Sequence, residues 1–209
     1  MRKFIIAIAA MLLSLITTEV SAQTTTPTRG QVGGHEWVDL GLPSGTKWAT
    51  CNVGAIKPSM PGQLFAWGET VVKSSYTEAN SKFHSNSSIG DIAGTTNDVA
   101  TVKWGNSWRM PTKGQMSELI DNCDWKYIQL DGRWVVRLTS CINREVIYLP
   151  ATGMKDGTMH DNPNGCGNYM TSTPGPNNGV YDYHFGAALG EMGVTTRYYG
   201  LAVRPVLVK

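Results

Sequence analysis

Only two residues, Asp131 and Gly132, stand between the β-prone runs 126–130 and 133–138. A connection that short calls for a type I′ or II′ turn, with φ > 0 at one or both positions. Asp-Gly supplies this at low steric cost, so the two runs must pair as an antiparallel hairpin in one register. Every other run has to be placed around that pair. Residues 36–40 and 47–53 flank the turn Leu42-Pro43-Ser44-Gly45 and read as a second hairpin. An apolar run follows at 64–67, with further strands at 146–149, 168–171, 180–185 and 201–206.

Helical signals are confined to the middle of the chain. Residues 98–104 fit one short helix, with Val99, Val102 and Lys103 at i, i+3 and i+4. The next carries a capping box: Thr112 can accept from the third amide of the helix while Gln115 reaches back. Met116, Leu119, Ile120 and Cys123 then share one apolar face. Residues 73–96, rich in Ser, Asn and Gly, read as a long ordered loop, and 153–167 as a polar loop. Strands, two helices and strands again predict an α+β fold with a small antiparallel sheet and long irregular loops.

The chain opens with Arg2 and Lys3, an apolar run over 4–16 broken only by Ser14, and Val20-Ser21-Ala22. This is the charged start, short apolar stretch and small-residue exit of a signal peptide, with cleavage expected before Gln23. The run is too short for the roughly 20 residues of a membrane span. Residues 1–22 are thus a signal peptide, 23–34 a flexible Thr/Pro/Gly leader, and 35–209 one domain. Export to the periplasm, cell surface or medium follows. Without Arg2, Lys3 and Glu19 the 18 basic and 16 acidic residues become 16 and 15, a net charge near +1. That argues against a nucleic-acid partner, which calls for a clustered basic face. The even set Cys51, Cys123, Cys141 and Cys166 suits disulfides in an oxidising compartment, and spacing chooses none of the three pairings.

Several ordered blocks carry a family resemblance. His35-Glu36-Trp37-Val38-Asp39-Leu40-Gly41-Leu42-Pro43-Ser44-Gly45, Ala66-Trp67-Gly68-Glu69-Thr70, Trp108-Arg109-Met110-Pro111-Thr112, Tyr148-Leu149-Pro150-Ala151 and Val203-Arg204-Pro205-Val206 run through the whole domain. In these blocks the chain resembles the Fibrobacter succinogenes major paralogous domain, a family exported by gut-type Bacteroidetes and their relatives. The family often has Tyr-Trp-Ser-Ser where this chain has Tyr169-Met170-Thr171-Ser172. The resemblance implies a C-type-lectin-like fold and no defined biochemical role. It also implies Cys51–Cys123, both beside matched blocks, leaving Cys141–Cys166 as the second bridge.

A lectin-like fold raises the question of calcium, the one candidate cofactor. Asp156, Asp161, Asn162 and Asn164 are its candidate ligands, and a turn-rich loop is the simpler reading, so no cofactor is expected. The Trp residues in and beside the blocks read as core. Arg109 and Arg204, each beside a proline, are expected to tie loops together. Residues 168–199 mix Tyr, Asn, Asp, His and Thr, which suits adaptable recognition. Tyr181, Tyr183, His184, Arg197 and Tyr198 are the candidate ligand-binding residues, unless the face shared by Tyr181, Tyr183 and Phe185 is core. No nucleophile elbow, metalloprotease motif or nucleotide loop is present, so catalysis is not expected. The expected function is an exported module binding a glycan or a surface protein. A structural subunit of a surface or envelope assembly is the alternative.

Overall fold

The computed structural model describes residues 27–85 and 88–207, so the expected signal peptide, residues 1–22, lies outside the described residues. The first strand, β1 (Arg29–Val32), falls inside the stretch expected to be a flexible leader. It pairs antiparallel with β2 (His35–Asp39) across Gly33 and Gly34. Both glycines take positive φ, 59° and 83°, which is the two-residue turn that matches strand twist. Arg29 and Thr28 then clamp Glu145, at 2.6 Å and 2.7 Å, and hold its carboxyl below the usual range. The domain therefore begins before His35.

β2 pairs with β3 (Lys47–Ala49) as the second hairpin predicts. Asp98 caps α1 (Val99–Trp104) by accepting from the amides of Ala100 and Thr101. Val99 and Ala100 face the core, whereas Val102 is 52% exposed, so the buried face differs from the expected one. After β4 (Trp108–Arg109) the Thr112–Gln115 capping box forms and opens α2 (Lys113–Asp121). Met116 and Leu119 are fully buried. Cys123 joins the same core, but from the first position of β5 (Cys123–Leu130).

β5 and β6 (Arg133–Ser140) make the Asp131-Gly132 hairpin, with φ 51° and 74° at the turn, and β7 (Val146–Pro150) adds to β6. The expected polar loop at 153–167 contains a small hairpin instead, β8 (Met154–Asp156) and β9 (Met159–Asp161). A third sheet follows from β10 (Gly167–Pro174), β11 (Gly179–Phe185) and β12 (Gly190–Thr196). The last strand, β13 (Val206–Leu207), inserts between β3 and β4 to complete the order β1-β2-β3-β13-β4.

Among the described residues this makes four sheets, with 40% strand against 10% helix. The α+β, C-type-lectin-like expectation is thereby overturned: the fold is β-rich. The two helices were read correctly as elements, but they are short and serve as connectors, while strands at both ends of the chain add to the sheets.

Two cores lie under these sheets. The larger joins Val38, Trp48, Leu119, Leu138, Leu149, Tyr183 and Phe185, and the other joins Phe65, Trp67, Val99, Met110, Met170 and Val203. Met170, where the resembled family often has Trp, is thus an interior packing position. Of the tryptophans in and beside the matched blocks, Trp48, Trp67 and Trp108 are fully buried as expected, whereas Trp37 and Trp104 are half-buried and Trp125, 37% exposed, is not core. Arg204 is wholly buried with no carboxylate partner. It donates to Asn52 Oδ1 and to the carbonyls of Ala49, Thr50 and Tyr148 at 2.8–3.0 Å, tying loops as expected. Arg109 does not: its Nε is buried without a partner.

The disulfide pairing is also corrected, because all four cysteines are free thiols. The register of β5 and β6 sets Cys123 opposite Ser140, and the Cys141 amide donates to the Asn122 carbonyl at 2.9 Å. Cys141 therefore lies beside Cys123, not beside Cys166, and the Cys51–Cys123 and Cys141–Cys166 bridges do not form. Burial, with the nearby Cys141 and Asp124 charges, pushes the Cys123 thiol up to about 12.

Candidate functional site

The recognition residues expected on β11 divide between core and surface. Tyr183 is 1% exposed and, with Phe185, belongs to the larger core, so the tyrosine face is interior. Burial pushes the Tyr183 hydroxyl up to about 12. Tyr181 is half-buried beneath the Lys113 ammonium, 4.0 Å from its ring centroid. His184 lies on the other face with Asp182 at 3.7 Å and Glu191 at 3.4 Å. These three side chains do not converge on one cavity.

Arg197 is a strut. It is 1% exposed, stacks over Trp67 at 4.4 Å and donates to the carbonyls of Gly179 and Phe83. By holding Phe83 against the start of β11 it brings the next residue, His84, beside the turn that precedes that strand. Tyr198 then meets the His84 ring at a centroid distance of 5.5 Å.

Here lies a cavity of about 450 Å³, lined by His84, Pro176, Asn177, Asn178, Gly179, Val194, Thr195 and Thr196. Its walls follow from local chemistry. Asn177 and Asn178 adopt positive φ of 53° and 56°, a conformation asparagine tolerates better than most residues. The turn is closed by the Gly175 amide to the Gly179 carbonyl and the Gly179 amide to the Pro176 carbonyl, both at 2.8 Å. Gly179 and Thr196 are directly opposed in the β11–β12 ladder.

Two polar atoms on this wall are buried and unsatisfied. His84 places Nε2 2.7 Å from Glu78 Oε1 and leaves Nδ1 with no partner. Thr196 Oγ1 has no partner in hydrogen-bond geometry, although it lies close enough to the Tyr199 hydroxyl to act against the rise that burial gives that group's pKa. Each unmade bond on a buried polar atom costs about 1–3 kcal/mol. Sequence reasoning missed His84, Asn177, Asn178 and Thr196. The string Pro174-Gly175-Pro176-Asn177-Asn178-Gly179 was a signal for an exposed turn.

A second depression follows β2. A cavity of about 340 Å³ is lined by Gln31, His35, Glu36, Thr50, Cys51 and Trp104 among others, and adjoining hollows share Glu36 and Thr50. Its groups are already engaged. His35 stacks on Trp104 at 3.7 Å and its burial lowers its pKa. Thr50 Oγ1 reaches Glu36 at 3.4 Å and the Cys51 thiol at 3.8 Å. Cys51 and His35 share the cavity wall, but Cys51 takes its contact from Thr50, so the thiol–base hydrogen bond of an activated nucleophile is not formed.

The calcium candidates do not gather. Asp156 and Asp161 sit at opposite ends of the β8–β9 ladder, paired with Met159 and Met154. Asn162 and Asn164 take turn conformations with φ 43° and 63°, and Asn164 Oδ1 accepts the Trp134 amide. Among the described residues no group of three or more His, Cys, Asp or Glu is placed to hold a metal. No helix there is long and apolar enough to cross a membrane. Compared with known proteins, the chain matches no family model, no curated protein and no solved structure.

Proposed function

We propose that the protein is an exported binding module that takes a neutral, hydroxyl-rich ligand, a saccharide, in the cavity between His84 and the 176–179 turn. The unpartnered His84 Nδ1 carries this reading. With Nε2 donating to the Glu78 carboxylate, Nδ1 presents a lone pair, so its missing partner is a donor such as a sugar hydroxyl. Thr196 Oγ1 both donates and accepts, and Asn177 and Asn178 add amides at the rim. Tyr198 offers an aromatic ring beside them. Export rests on the signal-peptide pattern of residues 1–22, and membership of the resembled family is part of the same proposal.

The test is a glycan array probed with residues 23–209, in calcium and again in EDTA. A neutral glycan should bind equally in both, and His84→Ala should weaken it about tenfold, the loss of one well-made hydrogen bond. A blank array, or binding that His84→Ala leaves intact, overturns the proposal.

The alternative, an assembly subunit, is favoured by one observation: among the described residues β12 pairs only with β11, and its Val194 is 46% exposed at the free edge. Sedimentation of the same protein as a concentration-dependent oligomer would favour that reading.

A further inference from the structure

The outer face of the β5–β6 hairpin carries a pairing that costs stability as it stands. Lys126 and Arg137 are directly opposite each other in the ladder, and Tyr148 follows on the next strand. Like charges at directly opposed positions destabilise a sheet. Among the described residues neither cation makes an ion pair or a side-chain hydrogen bond, and Arg137 Nε is buried with no partner. Arg144 adds a third cation. The one carboxylate here, Asp124, is 67% exposed and bridges Arg144 at 3.5 Å, not the opposed pair.

These residues enclose a cavity of about 430 Å³, with Thr139 and Trp125 also on its wall. Trp125 is 37% exposed, the only large aromatic among the exposed hydrophobic side chains of the described residues. We propose that this cavity is a second ligand site, separate from the His84 cavity, and that it takes a small organic anion bearing a carboxylate or sulfate group, for which acidic sugars serve as probes. The oxyanion bridges the opposed Lys126 and Arg137, relieves their repulsion and gives the buried Nε its acceptor. A guanidinium fork matches the geometry of either oxyanion. A volume of this size suits a small organic ligand better than a bare inorganic anion. This inference does not rest on the His84 cavity being occupied.

The experiment is calorimetric titration of residues 23–209 at low salt with four probes: a galacturonic acid trimer, a sulfated disaccharide, a neutral hexose trimer and inorganic sulfate. One or both acidic sugars should bind, the neutral trimer should not bind here, and inorganic sulfate should compete only weakly. Arg137→Gln and Lys126→Gln should each lower the affinity about tenfold or more. A ligand-free melting curve separates a binding role from a structural one. Lys126→Gln removes the repulsion, so its Tm should hold or rise while its affinity falls, and a fall in Tm would overturn the reading. Failure of both acidic sugars would overturn it too, as would affinity unchanged by both variants. Inorganic sulfate binding as tightly as the sugars would overturn the assignment to an organic anion, and equal binding of an unrelated polyanion such as single-stranded RNA would overturn the site. His84→Ala is the control: it should leave acidic-sugar binding unchanged.

Discussion

Asp182 shows how one side chain can work against the fold that holds it. It is 3% exposed on β11, and burial pushes its carboxyl up to about 6 despite the pull of His184. A carboxyl raised in this way binds its proton more tightly folded than unfolded. Stability is therefore greatest below the ordinary value of 3.8 and falls as pH rises towards about 6, then levels. The loss amounts to roughly 2–3 kcal/mol. Asp182→Asn keeps the shape and removes the charge. It should raise the melting temperature at pH 7 by several degrees and flatten the profile between pH 4 and 6. Thermal melts across that range check it: an unchanged profile would mean that the pairing of Asp182 with His184 offsets its burial.

At the scale of elements, legibility followed locality. The Asp131-Gly132 hairpin and the Thr112–Gln115 box were readable because each is decided within a few residues. β1 and β12 were not, because glycines erase the alternation that marks a strand. Those glycines are seats for large neighbours. A Cβ at Gly30 would meet the Trp37 ring at 2.5 Å, one at Gly190 the Tyr183 hydroxyl at 2.4 Å, and one at Gly193 the His184 ring at 2.7 Å. Their requirement lies in the partner strand, where a one-strand pattern has no view of it. Gly167 tests the argument, since its Cβ would meet the Phe185 ring at 2.2 Å. Gly167→Ala should cost about 1–3 kcal/mol through overpacking. Gly114→Ala, where the Cβ meets only Thr112 Oγ1 at 3.9 Å, should stabilise α2 by up to about 1 kcal/mol. Chemical denaturation of the two variants gives the comparison, and equal effects would refute the seating account.

On the scale of the whole molecule, the same distance dependence explains why the candidate site was hidden. Its wall joins His84, the 176–179 turn and the end of β12, held together by Arg197, which reads as a ligand-binding residue from its place in the polar and aromatic segment 168–199, because partners that are backbone carbonyls leave no mark in sequence. Tyr198 was named because it sits in the same segment, and His84 was not, because it lies outside it. The five-stranded sheet is built on an equally long connection. β13, the last described strand, lies between β3 and β4, where Val206 opposes both Trp48 and Arg109. Val203 and Arg204 just before it fill the second core and the buried hydrogen-bond cluster. A chain stopped after Arg204 would keep that arginine but lose the strand that joins β3 to β4, exposing the edges of both and the floor under Trp48. It should therefore fail to fold, with loss of cooperative melting and rapid proteolysis, although both hairpins and the α2 cap remain intact in sequence. A truncated protein that still melted cooperatively near the full-length temperature would show that β1 to β3 and β4 are held by the cores alone.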